Sequence, residues 1–329
     1  MNIHQNKVRA LGLCSGGLDS ILAALLLKQQ GIDVAWITFE TPFFSSDKAV
    51  SASEMVHIPL TILDITEPYL KMLKNPPCGY GQNMNPCMDC HAMMFRMAGD
   101  VMKERGMQFL FSGEVLGQRP MSQTRSSLKY VEKHSGYKGY IVRPLSARLL
   151  DETVAEAEGL ICRERMLGLS GRSRKPQMEL AREWGVTRYP APGGGCLLTD
   201  PGYSRRLKDL FDHQSVYTGN ELYLLKYGRH IRLSDEVKII VGRTRQDNDN
   251  ILNHYDATRD ILLKARLIPG PVVLVSGRPN PALIHRTAEI SAGYCKAAVD
   301  TWVDIEVVAP GCTNVLRVMG KRPEAADMI

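Results

Sequence analysis

Several groups of side chains in this 329-residue sequence have types and spacings suited to chemistry. The first is Ser15-Gly16-Gly17-Leu18-Asp19-Ser20. Paired glycines let the backbone approach an anion closely, and a helix opening behind them offers unpaired N–H groups and a partial positive charge. The two serine hydroxyls add donors. Asp19 would repel a bare phosphate, so it suits a carboxylate that helps hold Mg²⁺ or orients the helix start. The second group is Cys87-Met88-Asp89-Cys90, with Cys196 far along the chain behind the Gly193-Gly194-Gly195 triplet. A C-x-x-C at a helix start favours thiolates. Three thiolates can hold an iron–sulfur cluster, join His91 or Cys78 around zinc, or carry a persulfide that one of them resolves. The third group is basic. Residues 119–150 hold Arg119, Arg125, Lys129, Lys133, Lys138, Arg143 and Arg148 against one acid, Glu132. The whole chain's net charge of +6 therefore sits in this one segment, which reads as a polyanion-binding surface or a solvated face.

The elements that must position these groups follow from apolar patterning. Residues 8–13, 34–39, 60–65, 108–112 and 140–142 read as short buried strands, and 18–30, 66–74 and 88–105 as helices. Alternation of this kind predicts an α/β fold, a doubly wound parallel sheet covered on both faces. Ligands in such sheets bind beyond the carboxyl ends of the strands. The turn Ser112-Gly113-Glu114-Val115-Leu116-Gly117-Gln118 should thus face the same crevice as residues 15–20. Further on, 164–169 and 175–184 read as helical pieces, and 189–195 as a loop. Beyond 212 the pattern predicts strands at 221–227, 230–233, 237–241, 272–276 and 303–308, with a helix at 250–262. The expected domains are 1–148, a helical and loop extension over 149–214, and a small C-terminal α+β domain over 215–329. Arg172, Arg174 and Lys175 stand before the 175–184 helix, a second anion-friendly cluster. Ser122, Gln123, Thr124, Ser126 and Ser127 are donors suited to phosphate oxygens. Cys14 reads as core, and the methionines between 84 and 102 as packing on one helix.

Residues 15–20 match every fixed position of the S-G-G-x-D-S signature and so resemble the PP-loop ATP pyrophosphatases, which transfer AMP to a substrate oxygen. That resemblance implies ATP and Mg²⁺ at Ser15, Gly16, Gly17, Asp19 and Ser20. It further implies a second nucleotide turn at Ser112, Gly113 and Gln118, and adenine contacts at Thr38 and Phe39. With Cys87, Cys90 and Cys196 the chain is similar to the tRNA uridine thiolation branch over about residues 7–215. In that branch three such cysteines hold a four-iron–four-sulfur cluster with one iron left open. The implied partners are tRNA and a sulfur donor, either sulfide or a sulfur-carrying protein. RNA contacts would fall at Arg119, Arg125, Lys129, Lys133, Arg172, Arg174 and Lys175. Residues 238–250, KIIVGRTRQDNDN, resemble the RNA-binding domain of NFACT-type proteins, which adds Arg243.

Composition bounds these readings. Hydrophobic residues make up 44% and charged residues 23%, ordinary for a globular protein. No apolar run approaches the ~18 residues of a membrane span, and residues 1–7 lack a signal-peptide core, so the cytoplasm is expected. Eight cysteines in a reducing compartment point to metal or thiol chemistry rather than disulfides. Two rivals stay open: an amide- or amine-forming PP-loop ligase, and an RNA-binding protein with a degenerate ATPase domain.

Overall fold

The computed structural model describes residues 7–191, 196–296 and 301–329. The chain divides into two compact units, Met1–Thr199 and Asp200–Ile329. The first unit runs β1 (Arg9–Leu13), α1 (Leu18–Lys28), β2 (Asp33–Glu40), α2 (Asp47–Val56), β3 (Leu60–Asp64), α3 (Thr66–Lys74), α4 (Cys87–Glu104), β4 (Phe109–Ser112), α5 (Arg125–Ser135), β5 (Ile141–Val142), a short α6 (Val154–Ala157) and α7 (Lys175–Glu183). The strands form one sheet in the order β3-β2-β1-β4-β5, parallel throughout. The doubly wound fold expected from the patterning is the fold observed. Strand order reverses between β1 and β4, so the turns leaving these two strands open into one crevice. Ile21, Leu22 and Leu27 of α1 close over Ala10, Trp36, Phe109 and Phe111 in the core.

Helix α5 escapes a reading by apolar pattern alone. In α5 only Leu128 and Val131 are large buried apolar groups, so its charged surface hides the periodicity. Thr124 caps it by accepting from Ser127 N–H at 3.1 Å, and the Ser127 hydroxyl donates to Met121 O at 2.8 Å. The expected phosphate donors Ser122, Gln123 and Ser127 are accordingly buried inside the protein. The expected helix at 164–169 is absent. Only a 3₁₀ turn at Arg163–Arg165 forms, and Leu167 and Leu169 N–H donate to Pro144 and Leu145 carbonyls at 2.9 and 2.8 Å.

The second unit comprises α8 (Pro201–His213), α9 (Gly219–Leu224), β6 (Arg229–Ser234), β7 (Val237–Val241), α10 (Arg245–Asn253), β8 (Ile261–Ala265), β9 (Val273–Gly277), α11 (Pro281–Gly293), β10 (Trp302–Ala309) and β11 (Cys312–Met319). Its six strands make an antiparallel sheet in the order β11-β10-β8-β9-β7-β6. The strand expected at 221–227 is helix α9 instead. Thr218 and Glu221 form a reciprocal capping box that satisfies the first N–H groups, which decides for helix. The helix expected at 250–262 begins earlier, where Thr244 caps α10, and gives way to β8. No helix of the described residues is long and apolar enough to cross a membrane.

At the centre of the first sheet Gly12 pairs with Phe111, and a Cβ at Gly12 would lie 2.3 Å from the Phe111 ring. Gly12→Ala should therefore overpack the core and destabilise the protein by about 1–3 kcal/mol. Urea denaturation checks this through a lowered midpoint at unchanged slope.

Candidate functional site

The turn leaving β1 reaches α1 with no side chain capping the helix start, so its first N–H groups are free for an anion. Ser15 and Ser20 hydroxyls stand 3.2 Å apart, and Ser20 Oγ also accepts from Ser15 N–H at 3.3 Å. The turn leaving β4 lies directly on this one. A Cβ at Gly113 would stand 2.4 Å from the Asp19 carbonyl carbon and 2.5 Å from Ser20 N, so only glycine permits the approach. Gln118 then reaches Asp19, its Nε2 donating to Oδ2 at 2.7 Å. Gln177 of α7 donates in turn to Gln118 Oε1 at 2.9 Å. This amide relay fixes the Asp19 carboxylate from behind while Asp19 Oδ1 stays buried without a protein partner. An acceptor oxygen left bare beside an uncapped helix start fits a divalent cation that accompanies a phosphate chain. Gln177 had no sequence signal except its place three residues after Arg174. Thr38 and Phe39 are buried inside β2, which runs on to Glu40.

The β4 turn also carries a buried ionic network. Glu114 Oε2 accepts from Arg143 Nε at 2.9 Å and from Ser112 Oγ at 3.0 Å, and Oε1 stands 3.1 Å from His91 Nδ1. Arg143 also binds Glu132. Burial alone would raise the Glu114 pKa, but the Arg143 guanidinium and His91 outweigh it and bring the carboxyl down to about 2. One cation of the basic segment is thus consumed internally. Arg125 and Lys129 share Asp151, at 3.6 and 2.8 Å. Arg119, Lys133, Arg172 and Lys175 are exposed, while Arg174 is half-buried with its Nε lacking a partner.

His91 belongs to the first turns of α4, which open at Cys87. Cys90 is buried, and Cys87 and Cys196 are half-buried. Each of the three thiols lies within electrostatic reach of another of the set. The loop before α4 is tied to the Cys196 segment, because Asn83 Nδ2 donates to Thr199 O at 2.7 Å and the Thr199 hydroxyl donates to Cys196 O at 2.7 Å. Asn85 Nδ2 lies 2.9 Å from Cys87 Sγ, and Arg119 is the cation that favours its thiolate. The helix start was expected to favour thiolates at Cys87 and Cys90, yet the balance runs the other way. Burial pushes Cys87 and Cys90 up and Cys196 to about 11, so in the free chain all three hold their protons at neutral pH. Among the described residues no group of three or more His, Cys, Asp or Glu stands arranged around a single ion. The donors are nonetheless soft and sulfur only, which fits an iron–sulfur cluster. Cys78 lies instead against Met88, at 3.8 Å, and Tyr130, and His91 is engaged by Glu114. The Gly193-Gly194-Gly195 triplet falls outside the described residues.

In the second unit Arg243 is paired, its Nε donating to Asp247 Oδ2 at 2.7 Å.

The Glu114 network sets a pH dependence. A carboxyl depressed in the folded state contributes stability that is present above its ordinary value of 4.5 and is lost as pH falls towards about 2. Glu114→Gln should flatten that acid limb. It should also cost about 3–5 kcal/mol at neutral pH, since the buried Arg143 loses one of its two carboxylate partners. Urea midpoints measured across the acid range check both effects.

Comparison with known proteins agrees with this division of the chain. Residues 5–161 match the family model described as thiamine biosynthesis protein (ThiI), and residues 228–326 match that of the NFACT protein RNA binding domain. Among solved structures, a predicted subunit of tRNA methyltransferase from Methanocaldococcus jannaschii is 16% identical, with 54% of this chain and 76% of that one covered and a TM-score of 0.35. A 4-thiouridine synthetase in complex with RNA and ATP is 20% identical over 54% of this chain, with a TM-score of 0.38; the match spans 41% of that synthetase. The C-terminal part of the fibronectin/fibrinogen-binding protein from Streptococcus suis is 14% identical, over 71% of this chain and 87% of that one, with a TM-score of 0.25. The N-terminal segment thus carries the match to the ThiI family model, and the C-terminal segment the match to the NFACT RNA-binding domain model.

Proposed function

We propose that this protein is an ATP-dependent tRNA thiolation enzyme that exchanges a uridine carbonyl oxygen for sulfur. The observation that carries the reading is the single turn leaving β4. It packs on the ATP-type loop through Gly113, holds Asp19 through Gln118, and anchors the thiol-bearing start of α4 through Glu114 and His91. Adenylation chemistry and sulfur chemistry therefore hang on one short segment. The ThiI match over residues 5–161 agrees with this assignment.

The chemistry follows from leaving groups. A carbonyl oxygen of uracil leaves poorly as hydroxide. Its attack on the α-phosphorus of ATP expels pyrophosphate and leaves the oxygen bonded to AMP. A sulfur nucleophile then adds at the activated carbon, and AMP departs with the oxygen. Ser15, Ser20 and the free N–H groups of α1 would receive the departing pyrophosphate, and Asp19 would hold Mg²⁺ through Oδ1. Cys87, Cys90 and Cys196 would hold a four-iron–four-sulfur cluster, which supplies an iron without a protein ligand where sulfide can be presented. Gln118 and Gln177 keep Asp19 oriented, and Glu114 keeps the α4 start against the loop. Arg119, close to Cys87, Lys133, Arg172 and Lys175 offer cations for the tRNA backbone. A target base outside a loop must be unstacked, at a cost of a few kcal/mol.

Anaerobic purification followed by three assays tests the reading. Brown protein with about four iron per chain is expected, with tRNA-stimulated release of AMP and pyrophosphate and formation of thiouridine. Serine at Cys87, Cys90 or Cys196 should abolish thiouridine and iron while ATP still binds. Gln118→Leu should keep the iron and lose AMP formation. Thiouridine made at the parental rate by the triple serine variant removes these cysteines from the sulfur transfer, and an amide product from the parental protein in place of thiouridine sinks the thiolation reading and assigns the ligase reading.

A further inference from the structure

Around Tyr294, just beyond α11, two guanidinium groups gather on one ring. Arg229 Cζ lies 5.0 Å and Arg322 Cζ 4.3 Å from its centroid. Neighbouring cations have carboxylates: Arg286 pairs with Asp327 at 2.6 Å, Lys321 with Glu289 at 2.6 Å, and Arg317 with Asp304 at 4.0 Å. Arg229 and Arg322 have none among the described residues, and their guanidinium N–H groups make no hydrogen bond there. Attraction to the ring holds each of them, yet the two like charges repel one another.

Backbone contacts enforce this gathering. A Cβ at Gly293 would lie 2.4 Å from Lys321 O, and one at Gly320 2.9 Å from Gly293 Cα. The chain leaving β11 thus crosses the end of α11 backbone on backbone, with Tyr294 and Arg322 immediately past the crossing. The tail then continues to β6, where Met328 bridges Ile231 and Ile329 N–H donates to His230 O at 3.1 Å. Arg229 is the first residue of β6. Side chains from opposite edges of the six-stranded sheet are in this way brought onto one ring. Beside the crossing, Trp302 pairs across the ladder with Met319, the residue before Gly320, and is 56% exposed.

We propose that Arg229, Tyr294 and Arg322 form a binding site for the phosphodiester backbone of single-stranded RNA, with Trp302 stacking on an adjacent base. Guanidinium forks match phosphate oxygens in bidentate fashion, and a prearranged pair lacking carboxylates has donors free for them. An acidic peptide would engage the guanidiniums but gains nothing specific from a bare indole. Unpaired RNA uses both, because every base offers a face to stack. The assignment moves the RNA contact away from Arg243, whose charge Asp247 already meets. It does not depend on the thiolation chemistry.

Fluorescence anisotropy of labelled oligouridine with the full chain, over a salt series, tests the site. The double variant Arg229→Gln/Arg322→Gln should weaken binding ~10-fold or more. It should lower the log–log salt slope by about 1.4, since each phosphate contact on a single strand contributes about 0.7. Trp302→Ala should weaken binding at unchanged slope, and Arg243→Gln should leave both unchanged. Arg229→Lys/Arg322→Lys should keep the slope, and it decides the matter together with Trp302→Ala if the glutamine pair lowers the melting temperature. Parental affinity and slope in a fully folded glutamine pair overturn the proposal. So does displacement of oligouridine by polyglutamate as readily as by unlabelled oligouridine, which assigns the site to acidic peptides.

Discussion

The backbone of the turn after β4 rests on the backbone that opens α1, and the rest of the N-terminal site is built outward from that contact. No side chain fits between them, since a Cβ at Gly113 would overlap the Asp19 carbonyl and Ser20 N. Because the two segments touch, the residues on either side of Gly113 work at short range. Glu114 accepts from Ser112 and Arg143 and meets His91, and Gln118 returns to Asp19. The same contact sits where strand order reverses, so the sheet supplies the crevice and the glycine supplies its tight floor.

Around the thiols two physical effects compete, and burial wins. A helix start and Arg119 both favour the thiolate at Cys87, and Tyr69 does so at Cys90 by hydrogen bonding. Desolvation and the proximity of like-charged sulfurs oppose them and keep the protons on. The dipole of one helix end is worth a fraction of what removal from water costs a thiolate. A site of this kind gains its anions only when a soft metal centre replaces the protons, and binding there releases protons and becomes pH-dependent.

The parallel sheet and its ATP-type loop were legible because continuous apolar runs and paired glycines are local signals. The C-x-x-C is a local signal too, whereas Cys196 was named from the glycine triplet before it and from the family resemblance, and it lies within electrostatic reach of Cys87 and Cys90. What remained hidden was decided by polar groups. Helix α9 follows from the Thr218–Glu221 box, and α8 and α11 begin at Asp200-Pro201 and Asn280-Pro281, capping signals that an apolar reading passes over. Gln177 and Glu114 were out of reach for a different reason. Their roles depend on which side chains lie opposite them across the fold, and nothing in the spacing states that.

Charge shows the same limit most clearly. Counting placed the net +6 within residues 119–150, but a count ignores what each cation faces. Arg143 is buried between Glu114 and Glu132, while Arg125 and Lys129 lean on Asp151, outside the counted window. The field reaching solvent from that segment is therefore carried by fewer groups, with Arg119, Lys133 and Lys138 among the exposed ones. The C-terminal unit shows the converse: it is nearly neutral by count, yet Arg229 and Arg322 are brought together on one ring with no carboxylate partner among the described residues. A phosphate is attracted by the local excess of unpaired cations, because at physiological salt charges beyond ~8 Å are screened. The pairing of each arginine, rather than the sum over a segment, is what marks a surface as able to hold a polyanion.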